Sequence, residues 1–489
     1  MPPTTWLGML EARAESDWPA VVSGSGTWTG RELMRRAAGA ADLLDAVDAP
    51  RGRPVVALLS STPNAFALSI GAAATDRALA PLGPKLTVSE LAPIVANLDG
   101  DLIVAESGSA DLARAVAERT GRRVALIDHI AASDRALQFE ISPDRSAAIL
   151  HTSGTTGLPK AVPYRQDRLA ARTRVNAELV MLGPGTTYAS ASPFHHIAGI
   201  GMLFVALGSG ATLLSLPRFD LDAWDGLAAR GATHVLIVPT MVEMLLDAGR
   251  FHLPGLRVLQ YGAASIHPRT LARALEAMPG VQFVNIFGQT EGSPITCLTA
   301  TDHALAVAGR PELLASVGRA APGVEVVIAS PDDDGVGEVV ARAVHLFKPD
   351  DDGWLRTGDL GHLDADGYLY LSGRRGDKII RGGENVYPME VEGVLALHPD
   401  VAEACVYGVV DRKWGEIVAT TVVPAQAGTA IEFEALRTFV RERLAGFKVP
   451  VVWNQAGSLP RNAAGKVLRR ELIAEHTQKG WSGRQPPVN

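Results

Sequence analysis

The chain has 489 residues, of which 47% are hydrophobic and 20% charged, so it has the composition of a globular enzyme and is too long for one compact domain. Its formal net charge of −7 argues against a nucleic-acid partner, because proteins that bind nucleic acids carry basic patches. Two cysteines, Cys297 and Cys405, are too few for a disulfide framework and predict a reducing compartment, the cytoplasm.

Helical and strand patterns alternate through the first part of the chain. Apolar runs predict strands at residues 54–59, 102–105, 124–127, 147–150, 234–238 and 257–261. Helical periodicity covers residues 32–47 and 65–74. This alternation predicts an α/β fold with parallel βα layers. Beyond about residue 320, short strands and turns predict a small β-rich subdomain that extends to residue 373.

A stretch without charged residues extends over residues 197–216, about the length of a membrane span. Four glycines interrupt it, so we predict a buried helix followed by a buried strand in a soluble core. The N-terminus has neither a basic stretch nor an apolar run, and we expect no signal peptide and no transmembrane segment.

A glycine-punctuated stretch at residues 372–376 predicts a domain boundary. A new helix–strand alternation follows it, with a helix at residues 388–397 and a strand at residues 401–410. We therefore expect an N-terminal domain over residues 1–373, a hinge at 374–376 and a small α+β C-terminal domain over residues 377–489. The polar tail from about residue 477 is expected to fray.

The segment HTSGTTGLPK at residues 151–160 is the most informative in the chain. Glycines let a backbone approach an anion closely, hydroxyl groups add donors and a lysine adds charge, so the loop has the chemistry of a phosphate cradle. It differs from the Walker loop, because Pro159 separates Leu158 from Lys160. A solvated surface loop is the ordinary alternative for such composition. The predicted phosphate-binding residues are Thr152, Ser153, Gly154, Thr155, Thr156, Gly157 and Lys160.

Further motifs follow this loop in a fixed order. They are YGAA at residues 261–264, NIFGQTE at 285–291, WLRTGD at 354–359, GR at 373–374, GGEN at 382–385 and PRNAAGK at 460–466. In this order and spacing the chain resembles the adenylate-forming superfamily, which contains acyl- and aryl-CoA synthetases, adenylation domains of nonribosomal synthetases and luciferases. The resemblance covers nearly the whole length.

The resemblance implies a reaction in two halves. A carboxylate attacks the α-phosphate of ATP to give an acyl-adenylate and pyrophosphate, and a thiol then displaces AMP. Both halves concentrate negative charge, so such a site needs cations and hydrogen-bond donors rather than a protein nucleophile. The implied cofactors are ATP, Mg²⁺ and coenzyme A, the last as co-substrate.

Thr290 and Glu291 are expected at the nucleotide. A carboxylate there suits a Mg²⁺ ligand, which is the metal role we assign to Glu291. The alternative is a helix N-terminus capped by Thr290. The resemblance places the adenine against Phe287 and Gly288. The other residues that it assigns to the nucleotide in this region are Gly262, Ala263, Ala264 and Asn285.

Asp359 is expected to bind the two ribose hydroxyl groups, because one ionised carboxylate accepts hydrogen bonds from both. The local alternative is an ordinary turn aspartate. Arg374 resembles the arginine that contacts the nucleotide just before the hinge.

Lys466 is the predicted catalytic lysine of the adenylation step, against the alternative of a solvated surface lysine. Residues 441–470 hold seven basic residues and one acidic residue, as expected of a face that meets ATP. The resemblance implies that the mobile C-terminal domain first presents Lys466 and then a tunnel for the thiol.

Arg381, Gly382 and Gly383 resemble the loop that lines the pantetheine tunnel. Lys448 and residues 412–415 are candidates near the CoA phosphates, with ordinary surface charge as an equal alternative. The chain departs from the family at three positions. The hinge position is Gly376, where relatives commonly have a charged residue, and this puts in doubt any charge-based preference between the two domain poses. Phe287 stands where many relatives have tyrosine, and Ala161 replaces a glycine that often follows the loop lysine.

The segment FHHIAG at residues 194–199 matches the family segment that borders the carboxylate. His196 occupies the position of a gate residue and is a predicted catalytic-site residue, although a lone histidine is more often packed core; His195 is less certain. No aspartate lies in the segment, which argues against a free α-amino acid. The predicted acyl-pocket walls are Gly199, Gly201, Ala263, Ala264, Gly288, Ser293, Pro294 and Ile295. None of them is basic, so we expect an apolar aliphatic or aryl monocarboxylic acid.

The predicted function is therefore an ATP-dependent carboxylic acid–CoA ligase. One alternative is a stand-alone acyl-AMP ligase that loads the pantetheine of a carrier protein, which would then be a partner. An oxygenase use of the adenylate is a further possibility. A non-catalytic nucleotide-binding protein is disfavoured, because Lys160, Glu291, Asp359, Arg374 and Lys466 are all present.

Overall fold

The computed structural model describes residues 2–152, 159–190, 192–347, 352–462 and 466–478. Its helices are α1 Trp6–Glu11, α2 Gly30–Ala46, α3 Pro63–Ala74, α4 Val88–Ala96, α5 Ala110–Thr120, α6 Gln166–Leu179, α7 Ile200–Ser209, α8 Leu221–Ala229, α9 Pro239–Asp247, α10 Pro268–Ala277, α11 Ala300–Val307, α12 Pro388–Leu395, α13 Phe433–Arg441 and α14 Arg469–Gln478.

The strands of the first half of the chain are β1 Pro19–Ser23, β2 Gly26–Thr29, β3 Val55–Leu58, β4 Leu79–Pro81, β5 Leu102–Ala105, β6 Arg123–Leu126, β7 Ser146–Thr152, β8 Lys160–Arg165, β9 Thr187–Ser190, β10 Thr212–Leu214, β11 His234–Ile237 and β12 Val258–Gly262. Those of the second half are β13 Gln282–Gln289, β14 Gly292–Leu298, β15 Arg319–Ala320, β16 Glu325–Ala329, β17 Gly337–Arg342, β18 Leu355–Leu363, β19 Leu369–Arg374, β20 Ile379–Arg381, β21 Glu384–Val386, β22 Val401–Asp411, β23 Gly415–Pro424 and β24 Val452–Gln455.

Two compact units divide the chain. The first contains Met1–Val326 and Ala341–Leu355, and the second contains Val327–Val340 and Arg356–Asn489. The predicted hinge at residues 374–376 lies inside the second unit.

Two largely parallel sheets build the first unit. Over the described residues, one sheet has the strand order β6-β5-β3-β4-β7-β8 and the other the order β15-β14-β13-β12-β11-β9-β10-β1-β2. Within the first sheet only β8 is antiparallel to its neighbour, and in the second β2, β14 and β15 are antiparallel to theirs. Helices connect the parallel strands, as the alternation of patterns predicted. The predicted α/β class is confirmed.

Local signals explain where several helices begin. The Thr29 side chain accepts a hydrogen bond from the Glu32 N–H and caps α2, and Thr62 caps α3 in the same way ahead of Pro63. Helix α4 begins with a full capping box, in which Thr87 and Glu90 exchange side-chain to backbone bonds. The helix predicted at residues 32–47 therefore begins two residues earlier, at the first residue after its cap.

The uncharged stretch forms the predicted buried helix and strand, α7 and β10. Helix α7 is buried almost all round, and its C-cap Gly210 adopts the left-handed conformation. None of the helices in the described part of the chain has the length and apolarity needed to cross a bilayer.

Smaller sheets make up the rest of the chain. Strands β16 to β19 lie side by side in chain order, which is the predicted β-rich part. In the second unit, β20 to β24 form a sheet with the order β21-β20-β23-β22, to which β24 adds by pairing with β23. Its core packs Val391 and Leu395 of α12 and Leu436 and Val440 of α13 against the sheet. The predicted small α+β C-terminal part is present.

Candidate functional site

The residues on either side of the predicted phosphate loop belong to two antiparallel strands. Thr152 ends β7 and Lys160 begins β8, and the two residues are paired across the antiparallel ladder. The strand predicted at residues 147–150 lies within β7. Ser153, Gly154, Thr155, Thr156 and Gly157 lie outside the described residues.

Thr290 and Glu291 form the turn between β13 and β14, which pair antiparallel from Gln289 and Gly292 onwards. The alternative of a helix N-terminus is therefore wrong for this dipeptide. A tight turn holds both side chains at the end of the sheet, with both residues half-buried.

Phe347 contacts both the Lys160 side chain and the backbone of Glu291. The Phe347 N–H donates to the Glu291 carbonyl oxygen at 2.7 Å, and the Lys160 ammonium group lies 5.7 Å from the centre of the Phe347 ring. The Tyr164 hydroxyl of β8 donates to the Thr290 carbonyl oxygen. The end of the phosphate loop and the Thr-Glu turn are thus held together, although 130 residues separate them in the sequence.

The nucleotide motifs of residues 261–264 and 285–291 meet at the carboxyl ends of β12 and β13. Tyr261 pairs with Asn285 and Gly262 with Ile286, and the Asn285 amide donates to the Tyr261 carbonyl oxygen at 3.3 Å. Asn285 Oδ1 is buried and has no partner among the described residues. Ala263 has a φ of 67°, a costly conformation for a non-glycine residue that recurs at functional sites. Carboxyl ends of parallel strands are the usual ligand-binding edge of such sheets.

Glycines are required where these strands approach their neighbours. A Cβ atom at Gly288 would stand 2.6 Å from Ser293 Cβ, and one at Gly262 would stand 2.9 Å from the Ile286 carbonyl oxygen. Phe287 is half-buried beside Gly288 at the end of β13.

The rings of His195 and His196 lie close to each other, with centres 4.2 Å apart and planes tilted by 41°. Burial, with smaller contributions from His196 and Lys85, lowers the pKa of His195 to about 3, and burial also lowers the pKa of His196. Both rings are therefore neutral at pH 7. In the described residues His196 Nε2 is buried without a partner.

Two of the predicted acyl-pocket walls, Gly201 and Ser293, lie against an arginine that the sequence did not reveal. Arg172 of α6 is 3% exposed, and its Nε donates to the Ser293 carbonyl oxygen at 3.0 Å. A Cβ atom at Gly201 would stand 2.3 Å from Arg172 Nη1 and 2.6 Å from Ile197 Cδ1. A cation therefore borders residues that were expected to form a wall without one.

In the second unit, Asp359 and Arg374 face each other across β18 and β19. Their register makes them direct partners, and Arg374 Nε lies 2.7 Å from Asp359 Oδ1. Asp359 is 6% exposed, and its N–H donates to Thr357 Oγ1 at 3.0 Å. The local structure is thus a strand rather than the turn that was the alternative for this aspartate.

Lys466 interacts electrostatically with both members of this pair. Partial burial, followed by the Arg374 guanidinium, lowers the pKa of Lys466, whereas the Asp377 and Asp359 carboxylates act in the opposite direction. The Lys466 N–H donates to Asn462 Oδ1 at 2.9 Å, and Arg461 and Val467 form a β-bridge around it. The Lys466 residue is exposed by its surface area, and its charged neighbours are Arg374, Asp377, Asp359 and Arg469.

The basic excess of residues 441–470 is largely neutralised in the structure. Arg461 pairs with Glu403, and Arg469 pairs with Asp377 at 2.6 Å and with Glu392 at 2.7 Å. These acids are remote in sequence, so the local count of charges was a poor guide to the field at this face. The role of Lys466 therefore stays a prediction that rests on its motif rather than on the net count of charges.

Gly382 and Gly383 form the two-residue turn of the β20–β21 hairpin. Both have positive φ, 62° and 95°, which suits the turn type that this hairpin length prefers. A Cβ atom at Gly382 would stand 2.7 Å from the Trp414 ring. Arg381 donates to the Phe447 carbonyl oxygen at 2.7 Å, and the Lys448 ammonium group pairs with Glu390 at 2.7 Å.

A Mg²⁺ ion fits the Thr-Glu turn when ATP supplies the other ligands. No group of three or more histidine, cysteine or acidic residues suited to a metal occurs among the residues that the structure describes. Mg²⁺ needs only one or two carboxylates when phosphate oxygens and water complete its shell. The half-buried carboxylate of Glu291 can supply one ligand of that kind.

Sequence reasoning missed Tyr164, Arg172, His345 and Phe347. His345 is buried, with Nε2 2.8 Å from the Pro294 carbonyl oxygen, so it supports the same segment as Arg172. The motifs contain none of these residues. An arginine is usually exposed, and nothing in its sequence context marks Arg172 as buried.

Comparison with protein families gives two matches in chain order. Residues 10–349 match the family model of AMP-binding enzymes, and residues 390–466 match that of the AMP-binding enzyme C-terminal domain.

Similar proteins include several ligases. The chain is 34% identical to an indoleacetate–CoA ligase of Aromatoleum aromaticum over 69% of each chain. It is 32% identical to the fatty acid–[acyl-carrier-protein] ligase ScoC of Streptomyces coeruleorubidus over 95% of this chain and 94% of the relative.

Solved structures resemble the chain over almost its full length. The amide bond synthetase McbA from Marinactinospora thermotolerans is 30% identical with a TM-score of 0.86, covering 96% of this chain and 99% of that one. ATP-bound MatB from Rhodopseudomonas palustris is 26% identical with a TM-score of 0.88, covering 97% and 99%.

Proposed function

Because the chain belongs to the family of AMP-binding enzymes, we propose that it is an ATP-dependent carboxylic acid–CoA ligase that works through an acyl-adenylate. The observation that carries the proposal is the link between Lys160 and Glu291 through Phe347. Phe347 thus joins the lysine at the end of the glycine-rich loop to the backbone of the turn that carries Glu291, and a lysine and a carboxylate supplied by two such segments suit a metal-bound polyphosphate.

In the first half-reaction, a carboxylate oxygen of the acid bonds to the α-phosphorus of ATP while the bond to the bridging oxygen breaks and pyrophosphate leaves. Lys160 holds the phosphates, and Lys466 neutralises charge that develops at the α-phosphate. When bound at Glu291, Mg²⁺ neutralises phosphate charge and aligns the leaving group.

Other residues position the nucleotide. Asp359 accepts hydrogen bonds from the ribose hydroxyl groups, and Arg374 fixes that carboxylate. Phe287 and Gly288 border the adenine, and Asn285 Oδ1 is available as an acceptor for its amino group. The backbone approaches the adenine closely at Gly262, Ala263 and Ala264.

In the second half-reaction, the sulfur of a thiol bonds to the acyl carbon, the bond to the phosphate oxygen breaks and AMP leaves. Arg381, Gly382 and Gly383 line the path of the pantetheine arm. We propose coenzyme A as the acceptor of the acyl group. We also propose that the small domain moves about the hinge at residues 374–376 between the two steps.

A carrier-protein pantetheine is the second candidate acceptor. It is favoured by the relative ScoC, a ligase of fatty acids and acyl-carrier protein that matches this chain over 95% of its length. The adenylate and both half-reactions are the same in either case, and only the docking of the thiol differs.

The acid is an aliphatic or aryl carboxylic acid with an apolar body. Small or apolar residues dominate the walls, and the indoleacetate ligase among the relatives acts on an aryl acid. The neutral His196 borders the carboxylate without adding a charge.

The acceptor is tested by product analysis. Purified protein is incubated with ATP, Mg²⁺ and a panel of aliphatic and aryl acids, with CoA, with holo-acyl-carrier protein or with an amine, and the products are measured by mass spectrometry. Acyl-CoA as the main product supports the proposal. Acylated carrier protein without acyl-CoA replaces it with the second candidate, and an amide as the main product contradicts both.

A further inference from the structure

Arg172 is a buried cation with no counter-charge among the residues that the structure describes. The side chain is 3% exposed, and no described carboxylate forms an ion pair with it. The titratable groups that interact with it are the phenols of Tyr164 and Tyr188 and the imidazole of His345; burial raises the pKa of both phenols and lowers the pKa of His345, so all three are neutral at pH 7. A buried guanidinium is stable only when its charge and its donors are matched.

The donors of Arg172 are only partly used. Nε donates to the Ser293 carbonyl oxygen, and Nη2 reaches no closer than 4.0 Å to the sulfur of Met202. Nη1 is buried and has no partner in the described part of the chain. A guanidinium carries five N–H donors, so support of one carbonyl leaves most of them without an acceptor.

The unused Nη1 of the guanidinium lies against predicted walls of the acyl pocket. Gly201 lies against Nη1, and a Cβ atom there would stand only 2.3 Å from it. Ile197 flanks the same point, and Ser293, which Nε contacts, approaches Gly288. Gly201, Ser293 and Gly288 are all wall residues that the motifs assigned to the acid.

Resting on the proposed ligase function, we propose that Arg172 Nη1 binds an oxygen acceptor on the tail of the acid, so that the preferred substrates carry a second carboxylate or a carbonyl group beyond an apolar body. Such an acid supplies the missing acceptor, and a second carboxylate also supplies the missing counter-charge. Arg172 is thus a specificity-determining residue, remote from the reacting carboxylate.

The test uses acids of matched shape. Para-isopropylbenzoate, para-acetylbenzoate and terephthalate differ only in the tail group, and straight-chain acids with the same three ends vary the reach. Acid-dependent pyrophosphate release with ATP gives kcat/KM for each. We expect the acetyl or carboxylate tail to be preferred over isopropyl by about 10- to 100-fold at the best length, the value of a hydrogen bond to a charged group.

Variants assign that preference to Arg172. Arg172→Met should abolish it while isopropyl-tailed acids are still activated, and Arg172→Lys should keep part of the preference for the carboxylate. Arg174→Met, an exposed position on the same helix, is the matched control and should change nothing. If Arg172→Met does not fold, Gly201→Ala gives the second test, because its methyl group displaces Nη1 and should reduce the preference.

A wild type that prefers the isopropyl tail at every length, or a preference that survives in Arg172→Met, overturns the proposal and leaves Arg172 as support for Ser293. Isopropyl-tailed acids that release pyrophosphate in such a protein show that the ligase function stands without it. No pyrophosphate release with any acid contradicts the ligase function itself.

Discussion

Arg374 Nε donates to Asp359 Oδ1 at 2.7 Å across neighbouring strands, so the residue proposed to bind the ribose and the residue before the predicted hinge form one ion pair. The pair follows from the register of β18 and β19, in which these two residues are opposite each other. A change in either side chain therefore affects both.

Asp359→Ala is expected to weaken ATP binding. It removes the carboxylate that accepts from the ribose, and one or two hydrogen bonds to a charged group predict a rise of about 10- to 100-fold in the KM for ATP. The KM for CoA should not change. Steady-state pyrophosphate release gives both values, with the exposed Asp333→Ala as control. An unaltered KM for ATP contradicts the assignment.

Lys466→Ala should slow adenylation and spare the thiol step. Loss of one preorganised charge donor at the α-phosphate predicts a fall of roughly 10²- to 10³-fold in the rate of pyrophosphate release. Thioester formation from chemically prepared acyl-adenylate should remain within a few-fold of wild type. Arg441→Ala, an exposed cation of the same unit, is the control. Equal losses in both half-reactions argue against a role specific to the first.

Glu291→Gln should raise the Mg²⁺ requirement. The amide keeps the shape of the turn but removes the charge that binds the ion, so the Mg²⁺ concentration for half-maximal adenylation should increase by about 10- to 100-fold. Glu312→Gln, which alters an exposed acid paired with Arg310, is the matched control. Activity with an unshifted Mg²⁺ dependence would falsify the metal role.

Acid should destabilise the protein partly through His195. Burial lowers its pKa from 6.5 to about 3, so the unfolded state binds more protons, and the stabilisation present above pH 6.5 is lost as the pH falls towards 3. The loss of Tm between pH 7 and pH 5 should therefore be smaller in His195→Gln than in wild type. His252→Gln, at an exposed position, should retain the wild-type loss. Identical losses of Tm in all three proteins would contradict a contribution of His195 to the destabilisation by acid.

The predicted hinge is tested at Gly376. No heavy atom lies within 4 Å of a Cβ atom built there, so Gly376→Ala should be nearly neutral. Gly376→Pro restricts the backbone and should slow CoA-dependent product formation more than pyrophosphate release. Single-turnover measurements separate the two steps. Equal effects of the proline substitution on both steps would contradict a hinge at residue 376.

Local patterns were enough to predict the α/β class and most elements. Strand β5 matches its apolar run, and α3 and α7 lie where periodicity and glycine breaks placed helices. Ordered motifs predicted the family, the adenylate-forming fold and an AMP-forming acid–thiol ligase, and all three are confirmed.

Contacts between distant residues could not be predicted. Arg461 meets Glu403 and Arg469 meets Glu392, so a cationic segment in the sequence is not a cationic face. The burial of Arg172 could be recognised only from the packing of α6 against α7 and β14, because the burial of an arginine depends on its neighbours in space rather than on its flanking residues in the sequence. The individual roles of the site residues remain predictions.

Acid-dependent formation of the adenylate is the most direct test of the central claim. Wild-type protein with ATP, Mg²⁺ and a panel of acids should release pyrophosphate only with certain acids, and addition of CoA should convert the bound adenylate to acyl-CoA with one AMP for each pyrophosphate. ATP binding without pyrophosphate release for any acid, in protein that is folded and holds Mg²⁺-ATP, would contradict the account.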